Sequence, residues 1–276
     1  MPDLAPDDRL LLPPLAAHGI EGAAAVWDDP TEDWGRFEAV VVRSCWDYHH
    51  KLEPFEEWTL RLEADGVPLW NPAPLLRWNA RKTYLLDLAA RGVPIVPTRF
   101  LHPPEVPALD AVLEDAGWVE AVVKPVVSAS AHETWRAGRG RVPDAARFAR
   151  LAARMPVMVQ PFLREVEREG EWSLCFFDGR FSHAVLKRPR PGDFRVQTDH
   201  GGVAQGAEAS EALVASAAAA LAAAGSPTVY ARVDGCMLDG VFHLMELELL
   251  EPGLFLALEP RAPARFAAAI ARRLGR

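Results

Sequence analysis

The stretch Ala231-Arg232-Val233-Asp234, running through Asp239-Gly240 to Met245-Glu246-Leu247-Glu248-Leu249-Leu250-Glu251-Pro252, decides the fold. Two β-type runs flank an Asp-Gly pair, which predicts a hairpin over residues 230–250. Side chains alternate faces along a strand, so Glu246 and Glu248 project side by side. The turn then decides what joins them. A two-residue Asp-Gly turn pairs Leu238 with Val241 and sends Asp234 to the opposite face. A three-residue loop, with Gly240 as a left-handed bulge residue, pairs Met237 with Val241. Asp234 then shares the face of both glutamates, and Arg232 lies across from Glu246. Three carboxylates and one guanidinium over one patch suit Mg²⁺ held together with phosphates. The plainer alternative is a solvated acidic face, but the flanking Leu244, Met245, Leu247, Leu249 and Leu250 favour a buried site.

Outward from the hairpin, further segments carry chemistry. Lys124 sits in the apolar run Val122-Val123-Lys124-Pro125-Val126-Val127. Such a lysine either meets a fixed anion or snorkels from an edge strand. Ser128-Ala129-Ser130-Ala131-His132 follows, small residues whose N–H and hydroxyl groups suit phosphate, although no glycine appears before Gly138. Lys82 alone reads as a solvated helix lysine. Gln160-Pro161-Phe162-Leu163 reads as a strand-to-loop crossover, and Glu171 stands out from the solvated Glu165, Glu167 and Glu169 because it abuts Trp172-Ser173-Leu174. Residues 172–188 predict a second hairpin around Asp178-Gly179. Lys187, Arg188, Arg190 and Arg195 are either a surface patch or an anion site.

Near the start, Phe37 to Arg43 predicts a buried strand, and Arg43-Ser44-Cys45-Trp46-Asp47 lies past its carboxyl end, where α/β sheets place ligands. Arg43, Ser44 and Asp47 are therefore candidate substrate contacts. Cys45 reads as part of a packed loop, and nothing orients the adjacent His49 and His50 as a catalytic triad would require.

The 276 residues are 50% hydrophobic and 25% charged, an ordinary globular balance. A formal charge of −8 argues against duplex nucleic acid or an anionic membrane as partner. The three widely spaced cysteines lack disulfide or zinc patterning, which points to a reducing cytoplasm. The acidic opening, Met1 to Asp8, is unlike an export signal, and the alanine-rich Ala212–Ala231 run is broken by Gly225-Ser226-Pro227. Helices are expected over residues 8–17, 54–65, 80–90, 212–225 and 263–274, with a short extended segment at 93–98. Three parts follow: a small α/β unit at 1–78 that lacks an opening strand, then 79–155, then 156–276. The absence of G-x-G-x-x-G and G-x-x-x-x-G-K-[ST] argues against a Rossmann or P-loop site.

This order of parts resembles the ATP-grasp superfamily: a lysine helix, V-V-K-P, Q-P-F, G-E-W-S-L, R-V-D and E-L-E. Within it the chain is most similar to glutathione synthetase and RimK-like carboxylate–amine ligases. It is closest to the O-ureido-D-serine cyclo-ligase group, through W-D-D-P, R-S-x-W-D-Y, N-P, W-N-x-x-K-x-Y-L and E-P. The resemblance implies an α/β (α+β) ATP-grasp fold and an ADP-forming, Mg²⁺-dependent ligase that forms a C–N bond through an acyl phosphate. It implies that Lys82 and Lys124 grip ATP phosphates, that Ser128 and Ser130 lie in the loop closing over them, and that Gln160, Pro161 and Phe162 hold adenine. Glu171 falls at the ribose position, Asp234, Glu246 and Glu248 at the magnesium ligands, and Lys187, Arg195 and Arg232 near the transferred phosphoryl group. Many relatives carry Asn where Glu248 stands. Two Mg²⁺ ions are implied, with Mn²⁺ as a substitute, and small carboxylate and amine substrates as partners; homo-oligomerisation is left open. A nucleotide-binding module without ligase activity and a small-molecule kinase are the alternatives.

Overall fold

The computed structural model describes residues 4–276. The first three residues of the acidic opening lie outside them. Eleven strands are found among the described residues. Strands β1 (Val40–Val41) and β2 (Leu69–Trp70) form a parallel pair in the N-terminal part. A four-stranded sheet has the order β3-β6-β4-β5, from β3 (Arg99–Leu101), β4 (Glu120–Pro125), β5 (Trp135–Gly138) and β6 (Val157–Pro161). The remaining strands are β7 (Glu171–Phe177), β8 (Arg180–Arg188), β9 (Val203–Ala207), β10 (Tyr230–Leu238) and β11 (Val241–Glu248). They form a five-stranded antiparallel sheet ordered β11-β10-β7-β8-β9.

Both expected Asp-Gly hairpins form. Asp178 and Gly179, like Asp239 and Gly240, have positive φ, the backbone a two-residue hairpin turn requires. Leu238 pairs with Val241, so the turn is the two-residue one. Asp234 nevertheless reaches the acidic face, because a bulge between Asp234 and Gly235 shifts the register by one residue. Asp234 thus pairs with Glu246 and Arg232 with Glu248, correcting the expected Arg232–Glu246 pairing. A Cβ at Gly235 would lie 2.4 Å from the His243 carbonyl oxygen, so the bulge requires glycine there.

The two faces of this sheet explain why β7 and β10 are buried along their length. Leu174, Phe176, Ala231 and Val233 pack with Leu213, Ala217, Ala220 and Leu221 of the helix Glu211–Ala222. Their alternates, Cys175, Phe177 and Tyr230, pack with Phe266 and Ile270 of the helix Ala262–Arg273. Farther along that second face stand Glu171, Ser173, Arg232 and Asp234, so one pleat carries both core and charged residues.

Several local expectations change. The helix over 8–17 is two short pieces, Pro6–Arg9 and Leu12–Ala17, with proline in the first turn of each. The strand expected over 37–43 is only Val40–Val41. The helix expected over 80–90 is replaced by Ala73–Asn79 and Tyr84–Ala90, with Lys82 in the bend between them. The extended segment after Gly92 touches β11, where Val96 donates to the Leu244 carbonyl at 3.0 Å. The boundary expected at 155/156 precedes β6, so the chain leaves the four-stranded sheet only after Pro161. No described helix is long and apolar enough to cross a membrane.

Candidate active site

Between the two larger sheets lies a cavity of about 390 Å³, a size typical of small-molecule sites. Lys124 enters from β4, Gln160, Pro161 and Phe162 from the end of β6, and Glu171, Lys187, Arg232, Asp234, Glu246 and Glu248 from the five-stranded sheet. Lys82, Ser128, Ser130 and Arg195 also line it. The candidate nucleotide, metal and phosphoryl-site residues therefore come together.

Charge is distributed unevenly along the wall. The Arg232 guanidinium bridges Asp234 at 2.8 Å and Glu248 at 2.5 Å. The Lys187 ammonium donates to Glu171 at 2.6 Å and Asp234 at 3.1 Å, and the Ser173 hydroxyl donates to Asp234 at 2.7 Å. Burial opposes ionisation of Asp234, but Arg232 and Lys187 outweigh it and hold the carboxyl below the usual range. Lys82 pairs with Glu246 at 2.8 Å and donates to the Ser128 carbonyl at 2.8 Å. It is 6% exposed, so it is not a solvated lysine.

Burial perturbs three groups in this wall. The Lys124 ammonium makes no hydrogen bond or ion pair among the described residues, and burial lowers its pKa despite the attraction of Glu246. Burial, against the pull of Arg232, pushes Glu248 up to about 8, with Glu246 and Asp234 adding to it. Burial likewise raises Glu251 to about 7. A half-buried lysine whose ammonium has no partner, beside crowded carboxylates, is an arrangement suited to a metal-bound polyphosphate. Asp234, Glu246 and Glu248 fit Mg²⁺ by their chemistry, since that ion takes carboxylate oxygens, commonly one or two, and keeps phosphate and water ligands.

At the other end of the cavity, the Gln160 amide donates to the Thr98 hydroxyl at 2.9 Å, and the Arg136 guanidinium lies 3.7 Å over the Phe162 ring. Val96, Leu163, Val166 and Met245 make that end apolar, as a flat ring system requires. Arg195 is held by both oxygens of Asp193, at 3.1 and 2.8 Å.

The structure does not bring Arg43, Ser44 and Asp47 to this cavity. Arg43 donates to Asp8 at 3.0 Å and to the Pro252 carbonyl, while the Ser44 hydroxyl donates to Asp8 at 2.6 Å. Asp47 accepts from Trp27 at 3.3 Å and Lys51 at 3.1 Å. Trp46 and Tyr48 of the same loop line the cavity instead, as does Glu251. Sequence reasoning also missed two asparagines. The Asn79 amide donates to Leu247 at 2.7 Å and accepts from Leu249 at 2.8 Å, acting as a substitute neighbour for the edge of β11. Asn71 bridges Tyr230, Leu249 and Val229. Both stood in the quoted N-P and W-N stretches, without a role.

The fold is that of D-alanine–D-alanine ligase from Bacillus anthracis, crystallised with ATP: TM-score 0.69 at 16% identity, covering 99% of this chain and 95% of that one. That fold, together with the full-length relatives that follow, defines an ATP-dependent carboxylate–amine ligase of the ATP-grasp superfamily. Residues 1–71 match the family model described as D-cycloserine synthetase DcsG, N-terminal domain. The cycloserine biosynthesis protein DcsG of Streptomyces lavendulae is 39% identical over 270 residues, 93% of this chain and 90% of that protein. A crystal structure of D-cycloserine synthetase DcsG superimposes with a TM-score of 0.87 at 37% identity, covering 97% of this chain and 94% of the other. The chain belongs to the DcsG family of ATP-grasp ligases.

Proposed function

We propose that the enzyme closes a ring within a small D-amino-acid derivative of the O-ureido-D-serine class, with ATP converted to ADP and phosphate. Near-full-length similarity to DcsG supports the substrate class. The single observation that carries the nucleotide reading is the unpaired Lys124 beside the carboxylates of β10 and β11 in one cavity.

Adenine lies against Phe162 and the apolar end of the cavity, near Gln160 and Pro161, and Glu171 accepts from the ribose. Lys82 and Lys124 bind the phosphates, and the loop carrying Ser128 and Ser130 covers them. Asp234, Glu246 and Glu248 would hold two Mg²⁺ ions, with Mn²⁺ as a substitute. Mg²⁺ held by these carboxylates would supply neutralisation of the charge that develops on the transferred phosphoryl group. Arg232, Lys187 and Arg195 orient the substrate carboxylate and stabilise the same charge. The carboxylate attacks the γ-phosphorus and ADP leaves; the ureido nitrogen bonded to oxygen then attacks the acyl carbon, phosphate leaves, and water takes the carbamoyl group off that nitrogen as carbon dioxide and ammonia. Trp46 and Tyr48 shield the acyl phosphate from water.

The working division is an N-terminal part to residue 78, a middle part and a C-terminal part, with the middle part extended through β6. Three free cysteines favour a cytoplasmic location. The test is incubation of O-ureido-D-serine with ATP and Mg²⁺, followed by mass spectrometry. ADP with D-cycloserine supports the reading. ADP appearing only with pairs of amino acids, alongside a linear dipeptide, overturns the cyclisation.

A further inference from the structure

His49, His50 and His132 meet outside the cavity. None of the three lines it, although their neighbours Trp46, Tyr48 and Ala131 do. Ring centroids lie 3.8 Å apart for His49 and His50, 4.9 Å for His50 and His132, and 5.3 Å for His49 and His132. One ring nitrogen from each lies within 4.8 Å of those of the other two.

His49 is already oriented. Its Nδ1 lies 2.8 Å from the Trp46 carbonyl oxygen. A carbonyl only accepts, so Nδ1 carries the proton and Nε2 keeps its lone pair. That Nε2 is buried and has no hydrogen-bond partner. A ligating histidine commonly has its other nitrogen held in this way, by a backbone carbonyl. The rings of His50 and His132 make no hydrogen bond among the described residues. Three imidazoles with a fourth position open to water form a known zinc ligand set, and imidazole favours Zn²⁺, Ni²⁺ and Cu²⁺ over Mg²⁺.

We propose that His49, His50 and His132 bind one zinc-class transition-metal ion that ties the 128–133 loop to the loop following β1. Both loops contribute to the cavity wall, so the bound ion holds two of its sides together. Metal binding stands apart from the ligase reading; only the meaning of the clamp for nucleotide entry rests on it.

The test uses tag-free full-length protein, stripped with chelator and free of ATP. Calorimetric titration with Zn²⁺ is expected to show one saturable site per chain, and Co²⁺ to give the visible bands of a tetrahedral nitrogen-rich site. His50 and His132 are exposed, so His50→Ala and His132→Ala leave the core intact. Each variant should bind at least about tenfold more weakly. Stoichiometric Zn²⁺ should slow hydrogen exchange of residues 128–134 in the unmodified protein. Absence of saturable binding, or unmodified affinity in both variants, overturns the site. Unchanged exchange with the ion bound overturns the clamp.

Discussion

Replacing Lys124 by methionine should separate binding from stability, with opposite signs. The ammonium has no hydrogen bond or ion pair among the described residues, and burial lowers its pKa. Partial burial makes the charge costly to desolvate, and the attraction of Glu246 offsets part of that cost. Methionine removes that cost while keeping the length of the stem. The Tm of the free protein should therefore hold or rise. ATP binding should suffer, because a hydrogen bond to a charged partner contributes about 1.5–3 kcal/mol. That corresponds to roughly 10- to 100-fold weaker affinity. Thermal unfolding without ligand and calorimetric titration with ATP and Mg²⁺ read the two effects separately. A Tm several degrees lower with unchanged ATP affinity would make Lys124 a structural residue and refute the reasoning.

Other perturbations have defined directions. Asn79→Leu leaves a buried carbonyl and a buried N–H of β11 without partners, at about 1–3 kcal/mol each. Its Tm should fall by at least about 4 °C, and an unchanged Tm would show that β11 does not depend on the amide. Glu246→Gln weakens the Lys82 pair and removes a proposed metal ligand, so turnover should drop by at least about 100-fold; unaltered turnover with unaltered Mg²⁺ dependence would sink the assignment. Burial pushes the Cys45 thiol up to about 12, leaving a thiolate fraction of about one in ten thousand at pH 8. Alkylation there should be slow and Cys45→Ser should retain turnover; loss of turnover would return Cys45 to the candidate nucleophiles.

How far the sequence could be read depended on the range of each interaction. Both hairpins followed from alternation and Asp-Gly turns, and Lys124 stood out because its neighbours are apolar. The bulge at Asp234/Gly235 did not, since a one-residue register shift is set by close packing of Gly235 against His243 and Phe242. Arg43 and Ser44 looked like ligand contacts because they follow a strand. Their charges and hydroxyl are instead taken up by Asp8, a partner no local pattern indicates. Lys82 looked solvated for the converse reason: Glu246, which pairs with it, lies in another part of the chain. The histidine trio shows the same limit, as His132 is remote in sequence from His49 and His50.

The account's central claim is that the substrate carboxylate is phosphorylated by ATP held between the two sheets. O-ureido-D-serine carrying ¹⁸O in its carboxylate tests this directly. If the claim holds, each turnover transfers one ¹⁸O into the phosphate released with ADP. Turnover that yields product with unlabelled phosphate would contradict it.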